Sequence, residues 1–376
     1  MRRNTTSLCR LRLVVDGRSS LLGRWSFCMP QHRRRMCSSG STSLRSNAVT
    51  LIDTRAHGIP NHTACYLLQE GERAAFVDAG GPKSLPSLRF ALEQRGIAPT
   101  HVDYVLLTHP SWATSGGLPA LLEHCPNATL ICHPHALESL QEQQQLRTPN
   151  EHQNRIRLVE DGESVYLAGR ERELRCVYTP GFGLGHMVVS DKASSSVMAG
   201  DAFGSCYAQH WRLLSSGEST PFLFPKIPEK GFDWEAAWHS IDNIVSLGAE
   251  RAYLTHYGEW KNIQEGAKEL HITLYSLGKT LADIAKASNT IANTKRQRTR
   301  RTAPHKKQLE EADIAAWVEA KLLQLYARKF KQHGVPQPTH LPSLEAPPPS
   351  DAEVPEYWQI FHTDLAQAVK GLQQLF

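Results

Sequence analysis

Histidine, aspartate and hydroxyl side chains are what this chain offers for chemistry, and their densest grouping follows an apolar run. In YVLLTHPSWATSGGLPALL, from Tyr104 to Leu122, a Val- and Leu-rich start ends at Thr108-His109 and crosses a polar turn through Ser111, Ala113 and Thr114. It resumes at Gly116-Gly117 with helical spacing. The stretch reads as buried strand, loop and helix, and the loop at the carboxyl end of such a strand is where α/β proteins place reactive groups. His57, Asn61 and His62 stand in an earlier connection, and His133 and His135 end a later apolar run. Cys65, Cys125, Cys132, Cys176 and Cys206 are scattered through strand-like runs with no Cys-x-x-Cys pair, so buried thiols are expected, not disulfides or zinc ligands.

Strand and helix patterns place these groups. VTLIDTR, TACYLLQEG and RAAFVDAGG read as sequential strands, followed by the helix LPSLRFALEQRG with its glycine stop at Gly96. HVDYVLLTH, GGLPALLEHC and ATLICHP continue as strand, helix and strand. From Arg155 to Ala199 the runs RIRLVEDG, SVYLAG, ELRCVYTPG, HMVVSD and SSVMAGD are β-rich. A βα half followed by a β-rich half fits an αβ/βα sandwich.

The loop after Thr108 resembles the signature of the metallo-β-lactamase superfamily, in which a strand ends in Thr-His-x-His-x-Asp-His before a glycine pair and those side chains hold one or two zinc ions. His109 matches the first His, while Ser111, Ala113 and Thr114 stand at the second His, the Asp and the last His. TPGFGLGH resembles the segment Thr-Pro-Gly-His-x-x-Gly-His, with Phe182 at the ligand position and His186 at the supporting one. VMAGDAF resembles the strand that carries the bridging Asp, matched by Asp201, and ERAYLTHYGEW the strand that carries the last His, matched by His256. Asp78-Ala79-Gly80-Gly81 resembles an element whose Asp supports the metal loops from behind; an Asp that caps a turn is the other reading. His133 and His135 are expected to be hydrogen-bonded scaffold.

The resemblance covers residues 49–258 and implies an α/β fold, a metallo-β-lactamase-type αβ/βα four-layer sandwich with a C-terminal helical extension. Of the seven metal-site positions it implies, this chain supplies His109, Asp201 and His256. Each of the two sites keeps about two protein ligands where catalytic zinc takes about three and a water. Phe182 and Trp112 are candidates to fill the space, and recruitment of His57, His62 or His186 to hold one ion is the competing reading.

Outside that region the composition changes. Residues 1–46 contain ten Arg, no Lys and one acid, Asp16, as organellar and especially mitochondrial transit peptides do; a basic arm touching nucleic acid is the alternative. The division expected is therefore a leader at 1–46, the sandwich at 47–260, a helical extension at 261–334 with a basic loop at 295–307, and a proline-rich linker with a terminal amphipathic helix at 335–376. The helical patterns run over 263–292, 309–333 and 356–376. In the loop, Lys295, Arg296, Arg298, Arg300, Arg301, Lys306 and Lys307 are candidates to neutralise RNA phosphates, or else form a solvated interhelical loop or a nuclear-localisation look-alike.

The chain has 376 residues, a net charge of +5, and no run near the roughly 20 apolar residues of a membrane helix, so no membrane span is expected. Two functions of different class follow. One is a non-catalytic binding, structural or assembly factor of a mitochondrial ribonucleoprotein such as the ribosome, located in the matrix and without a cofactor. The other is a zinc-dependent hydrolase of thioester, lactone or phosphoester substrates with a reduced site.

Overall fold

Alternation along the strands decides which layer each side chain joins. The computed structural model describes residues 48–143, 153–206, 221–298, 306–334 and 356–373. In the first sheet, β1 (Ala48–Asp53), β2 (Ala64–Glu70), β3 (Arg73–Val77), β4 (Val102–Leu106), β5 (Thr129–Cys132) and β6 (Ile156–Leu158) lie in sequence order. The pairings are antiparallel from β1 to β3 and parallel from β3 to β6. On β2, Ala64, Tyr66 and Leu68 face the second sheet, while Cys65 and Leu67 face the helices α1 (Leu85–Arg95) and α3 (Leu118–His124).

The second sheet runs β13-β12-β10-β9-β8-β7. Its strands are β7 (Ser164–Leu167), β8 (Arg172–Tyr178), β9 (Met187–Asp191), β10 (Ser196–Cys206), β12 (Arg251–His256) and β13 (Gly258–Lys261), with β11 (Leu223–Phe224) paired to the far end of β10. Leu174, Cys176, Met187, Val189 and Met198 point to the first sheet. Val188, Val197, Ala199, Ala252 and Leu254 point outward to a second helical layer. The layers are therefore helix, sheet, sheet, helix, the αβ/βα sandwich expected. Across the middle, the buried Arg172 pairs with Asp191 of its own sheet and donates to the Gln69 carbonyl of the other at 2.8 Å.

The outer layer consists of α5 (Trp234–Ser246), α6 (Ile263–Arg298), α7 (Lys306–Gln332) and α8 (Glu356–Gln373). Asp233 caps α5 by accepting from the Glu235 and Ala236 N–H groups, each at 3.0 Å. Leu270 and Leu274 of α6, Val318, Leu322, Tyr326 and Phe330 of α7, and Leu365, Ala368, Val369 and Leu372 of α8 share one apolar cluster with β10 and β12. The helices after residue 260 thus pack on the second sheet.

The two ends of the expected basic loop at 295–307 are helical. Lys295, Arg296 and Arg298 end α6, and Lys306 and Lys307 begin α7. Lys and Arg are good helix formers, so a run of them need not interrupt a helix. Arg300 and Arg301, like the leader at 1–46 and the linker at 335–355, lie outside the described residues. Among the described residues no helix is long and apolar enough to cross a membrane.

Candidate active site

Strand ends converge at one edge of the sandwich. Asp78 follows β3 and Thr108-His109 follow β4. Asp201 sits on β10 at an irregularity in its pairing with β12, and His256 ends β12. Asp78, at φ 64°, accepts from the Thr108 N–H at 2.8 Å and from its hydroxyl at 2.9 Å. Asp78 therefore supports the β4 loop from behind, the first of its two readings. Thr108 Oγ1 also meets His109 Nδ1 at 3.0 Å, and His109 Nε2 faces Asp201 Oδ2 at 3.2 Å. The result is a line of partners, Asp78, Thr108, His109 and Asp201, with His256 Nε2 3.7 Å beyond the other Asp201 oxygen.

Burial and charge act on these groups together. Burial opposes a charged His109, but the Asp201 carboxylate in contact with it, with Asp78 beyond, raises its proton affinity above that of an ordinary imidazole. Burial likewise opposes ionisation of Asp201; the charge of His109 in contact with it, with His256 and Lys226, outweighs it and holds the carboxyl well below the usual range. Asp78 is pushed by burial up to about 6, the effect eased by His109 and by the bonds from Thr108. Burial, with the Lys226 charge adding to it, brings His256 down to about 4.

His186 is placed as support. Its Nδ1 meets Thr179 Oγ1 at 2.7 Å and its Nε2 accepts from the Asp201 N–H at 3.1 Å. Both ring nitrogens are thereby engaged in aligning β10. A side chain at Gly200 would put a Cβ 2.7 Å from that Nε2, which is why the strand passes the imidazole as glycine at φ 55°.

The substituted positions have local uses. Ser111 precedes α2 (Trp112–Ser115); the Thr114 hydroxyl accepts from the Ser111 N–H at 3.1 Å and donates to the His109 carbonyl at 2.6 Å. That arrangement is a short helix capped by its own side chains. Phe182 is buried and joins the outer apolar cluster, 6.0 Å from His186 between ring centres, so it fills space as expected. Trp112 does not. It is 44% exposed, stacks on His57 at 4.2 Å and covers Gly81 from outside. His57 and His62 do approach the strand ends, with His62 5.8 Å from His256 ring to ring. His133 stacks on Tyr178 and its Nδ1 accepts from the His135 N–H, the scaffold role expected.

Two residues of the site escaped the reading of the sequence. Lys226, in PFLFPKIP, and Asp364, on α8, form a buried ion pair whose charges both reach His256. A lone Lys amid apolar residues and prolines was the available signal.

Ser111, Ala113, Thr114 and Phe182 stand where four ligands of the resembled two-zinc centre would be, and none of them offers an imidazole or a carboxylate. His109 and Asp201 are in contact with each other, His186 is engaged at both nitrogens, and the Ser111 and Thr114 hydroxyls are 2.9 Å from one another and have little affinity for zinc. Phe182 presents no donor.

The sequence matches a family model described as the metallo-beta-lactamase superfamily over residues 58–256. Similar solved structures include a metallo-beta-lactamase superfamily protein from Sulfolobus tokodaii, at 18% identity over 61% of this chain and 86% of that chain, with a TM-score of 0.46. Another is a metallo-beta-lactamase family protein from Thermus thermophilus, at 21% identity over 63% and 81% of the two chains, with a TM-score of 0.44. No curated protein matched.

Proposed function

This chain belongs to the metallo-β-lactamase superfamily, and on that premise we propose that it is a non-catalytic binding, structural or assembly factor of a mitochondrial ribonucleoprotein, such as the ribosome, in the matrix. The observation that carries the loss of catalysis is the direct His109–Asp201 contact at 3.2 Å, with the loop hydroxyls of Ser111 and Thr114 spent on the cap of α2. An attacking water activated at neutral pH needs an ion with about three protein ligands and an open position. A carboxylate neutralised by its own imidazole provides none of that.

The partner is read from composition. An arginine-rich leader with one acid suits mitochondrial import, and the Lys and Arg side chains of 295–307 suit phosphate neutralisation. Replacing Arg296, Arg298, Arg300 and Arg301 with Ser is expected to leave the fold intact and to reduce co-sedimentation with large RNA–protein particles at low salt. A mature organellar chain that retains Met1 overturns the import reading.

One observation favours the hydrolase reading. Asp201 Oδ1 and His256 Nε2 are 3.7 Å apart, near the roughly 3.4 Å separating two ligands of a tetrahedral zinc. Elemental mass spectrometry of the purified full chain decides between the two. Well under one zinc, iron or manganese per chain is expected, rising after Ser111→His, Ala113→Asp, Thr114→His and Phe182→His together. A stoichiometric metal that disappears in His109→Ala or His256→Ala makes the protein a metallohydrolase instead.

A further inference from the structure

One buried cation has no part in the proposed function. Lys226 lies in the segment between β11 and α5, buried, with its ammonium bonded to the buried Asp364 carboxylate from 138 residues away. The pair is seated by a matched run of contacts. One turn and two turns beyond Asp364, Ala368 and Leu372 join Ile227 and Phe224 in the outer apolar cluster. The backbone at Gly371 packs so closely on the Pro228 carbonyl that a Cβ there would lie 2.1 Å from it, and Lys370 reaches Glu229 at 3.5 Å. One face of α8 therefore reads the segment 226–229 residue by residue. The helix is not merely laid against the domain.

We propose that Lys226 forms a carboxylate-binding site whose ligand is this chain's own Asp364, so that α8 closes over the segment 226–229 as an internal ligand. The chemistry selects a carboxylate. One buried ammonium balances one negative charge, and a dianion such as phosphate would leave a second charge buried without a partner. A buried lysine left alone would be costly, so the anion is obligatory. The proposal rests on residues outside the His109–Asp201 contact and does not depend on whether an ion is bound there.

Amine acylation of the full-chain protein tests it, with Lys226 read by mass spectrometry against the exposed Lys230 four residues on. Asp364→Ala is expected to raise the Lys226 to Lys230 labelling ratio on the order of a hundredfold as α8 opens locally. Added acetate, which replaces the deleted carboxymethyl group, is expected to restore slow labelling, and chloride at equal ionic strength is not. Lys226→Met with Asp364→Leu is expected to keep the amides of α8 protected from hydrogen exchange, since an apolar pair of similar volume fills the same space. An unchanged ratio in Asp364→Ala overturns the closure. Rescue by chloride as good as by acetate, or no rescue by acetate, overturns the carboxylate site. Should Asp364→Ala unfold the whole chain, seen as lost protection in β9, the isosteric Asp364→Asn is read by the same ratio.

Discussion

A single residue joins the two sheets at this edge: Thr108 Oγ1 donates to Asp78 and meets His109 Nδ1, while the Thr108 carbonyl accepts from the Met187 N–H at 2.8 Å. Thr108→Val keeps the shape and leaves the buried Asp78 short of a donor, so urea unfolding is expected to show a loss of about 1–3 kcal/mol. His186 makes one contribution to the pH dependence. Buried in full, it is held down to about 3, well below an ordinary imidazole. A group whose folded value is depressed adds stability that is present above its unfolded value of about 6.5 and is lost as pH falls toward the folded one. Between pH 6.5 and 3 its share of the cost is expected to be about 1.4 kcal/mol per pH unit, and His186→Asn is expected to make stability fall less steeply with acid than in the unmutated protein, in thermal melts taken across pH. At this scale the sequence was legible where a motif fixed a position, as for His109, Asp201 and His256. It was silent on Lys226 and Asp364, because an ion pair between distant residues is a property of packing.

At the next scale, α2 and α3 owe their placement to the glycine pair between them. Gly117 donates to the Gly80 carbonyl at 2.8 Å, and a Cβ on it would lie 2.4 Å from the Ala79 carbonyl oxygen and 2.8 Å from that of Gly81. Those are backbone atoms that cannot rotate away. Gly117→Ala is therefore expected to cost about 2–4 kcal/mol and to shift the β4 loop, visible as altered histidine resonances at His109. The strands were readable because their alternation survives: on β3, Ala74 and Phe76 face helices, Ala75 and Val77 the other sheet. Helix boundaries were less so. The helix α4 (Pro134–Glu142) begins inside what looked like the tail of β5, since His133 directly follows the strand and caps the helix through its side chain. A capping histidine looks the same in sequence as a ligand.

Taken whole, the molecule spends its C-terminal helices on covering the outer face of the second sheet. Tyr326 of α7 stacks on Phe224 at 3.8 Å, and Phe330 and Phe222 meet edge to face at 5.8 Å. Tyr326→Ala is expected to lower stability by about 3–5 kcal/mol in denaturant unfolding, as for an aromatic removed from a core. Removal of everything after residue 262 is expected to expose Val197, Ala252 and Leu254 and to give an insoluble chain, judged by sedimentation. The sequence displayed these helices as an extension because amphipathic periodicity shows that a helix buries a face, and not against what. Among the described residues the same layering has distributed five buried thiols: Cys65, Cys125 and Cys132 between the first sheet and its helices, Cys176 between the sheets, Cys206 against the outer helices. Burial pushes Cys125, Cys132 and Cys176 up to about 12, which leaves almost no thiolate at neutral pH. Each layer of the sandwich thus carries its own stopwatch, and the order in which a pulse of iodoacetamide marks these sulfurs under mild denaturant is the order in which the layers come apart.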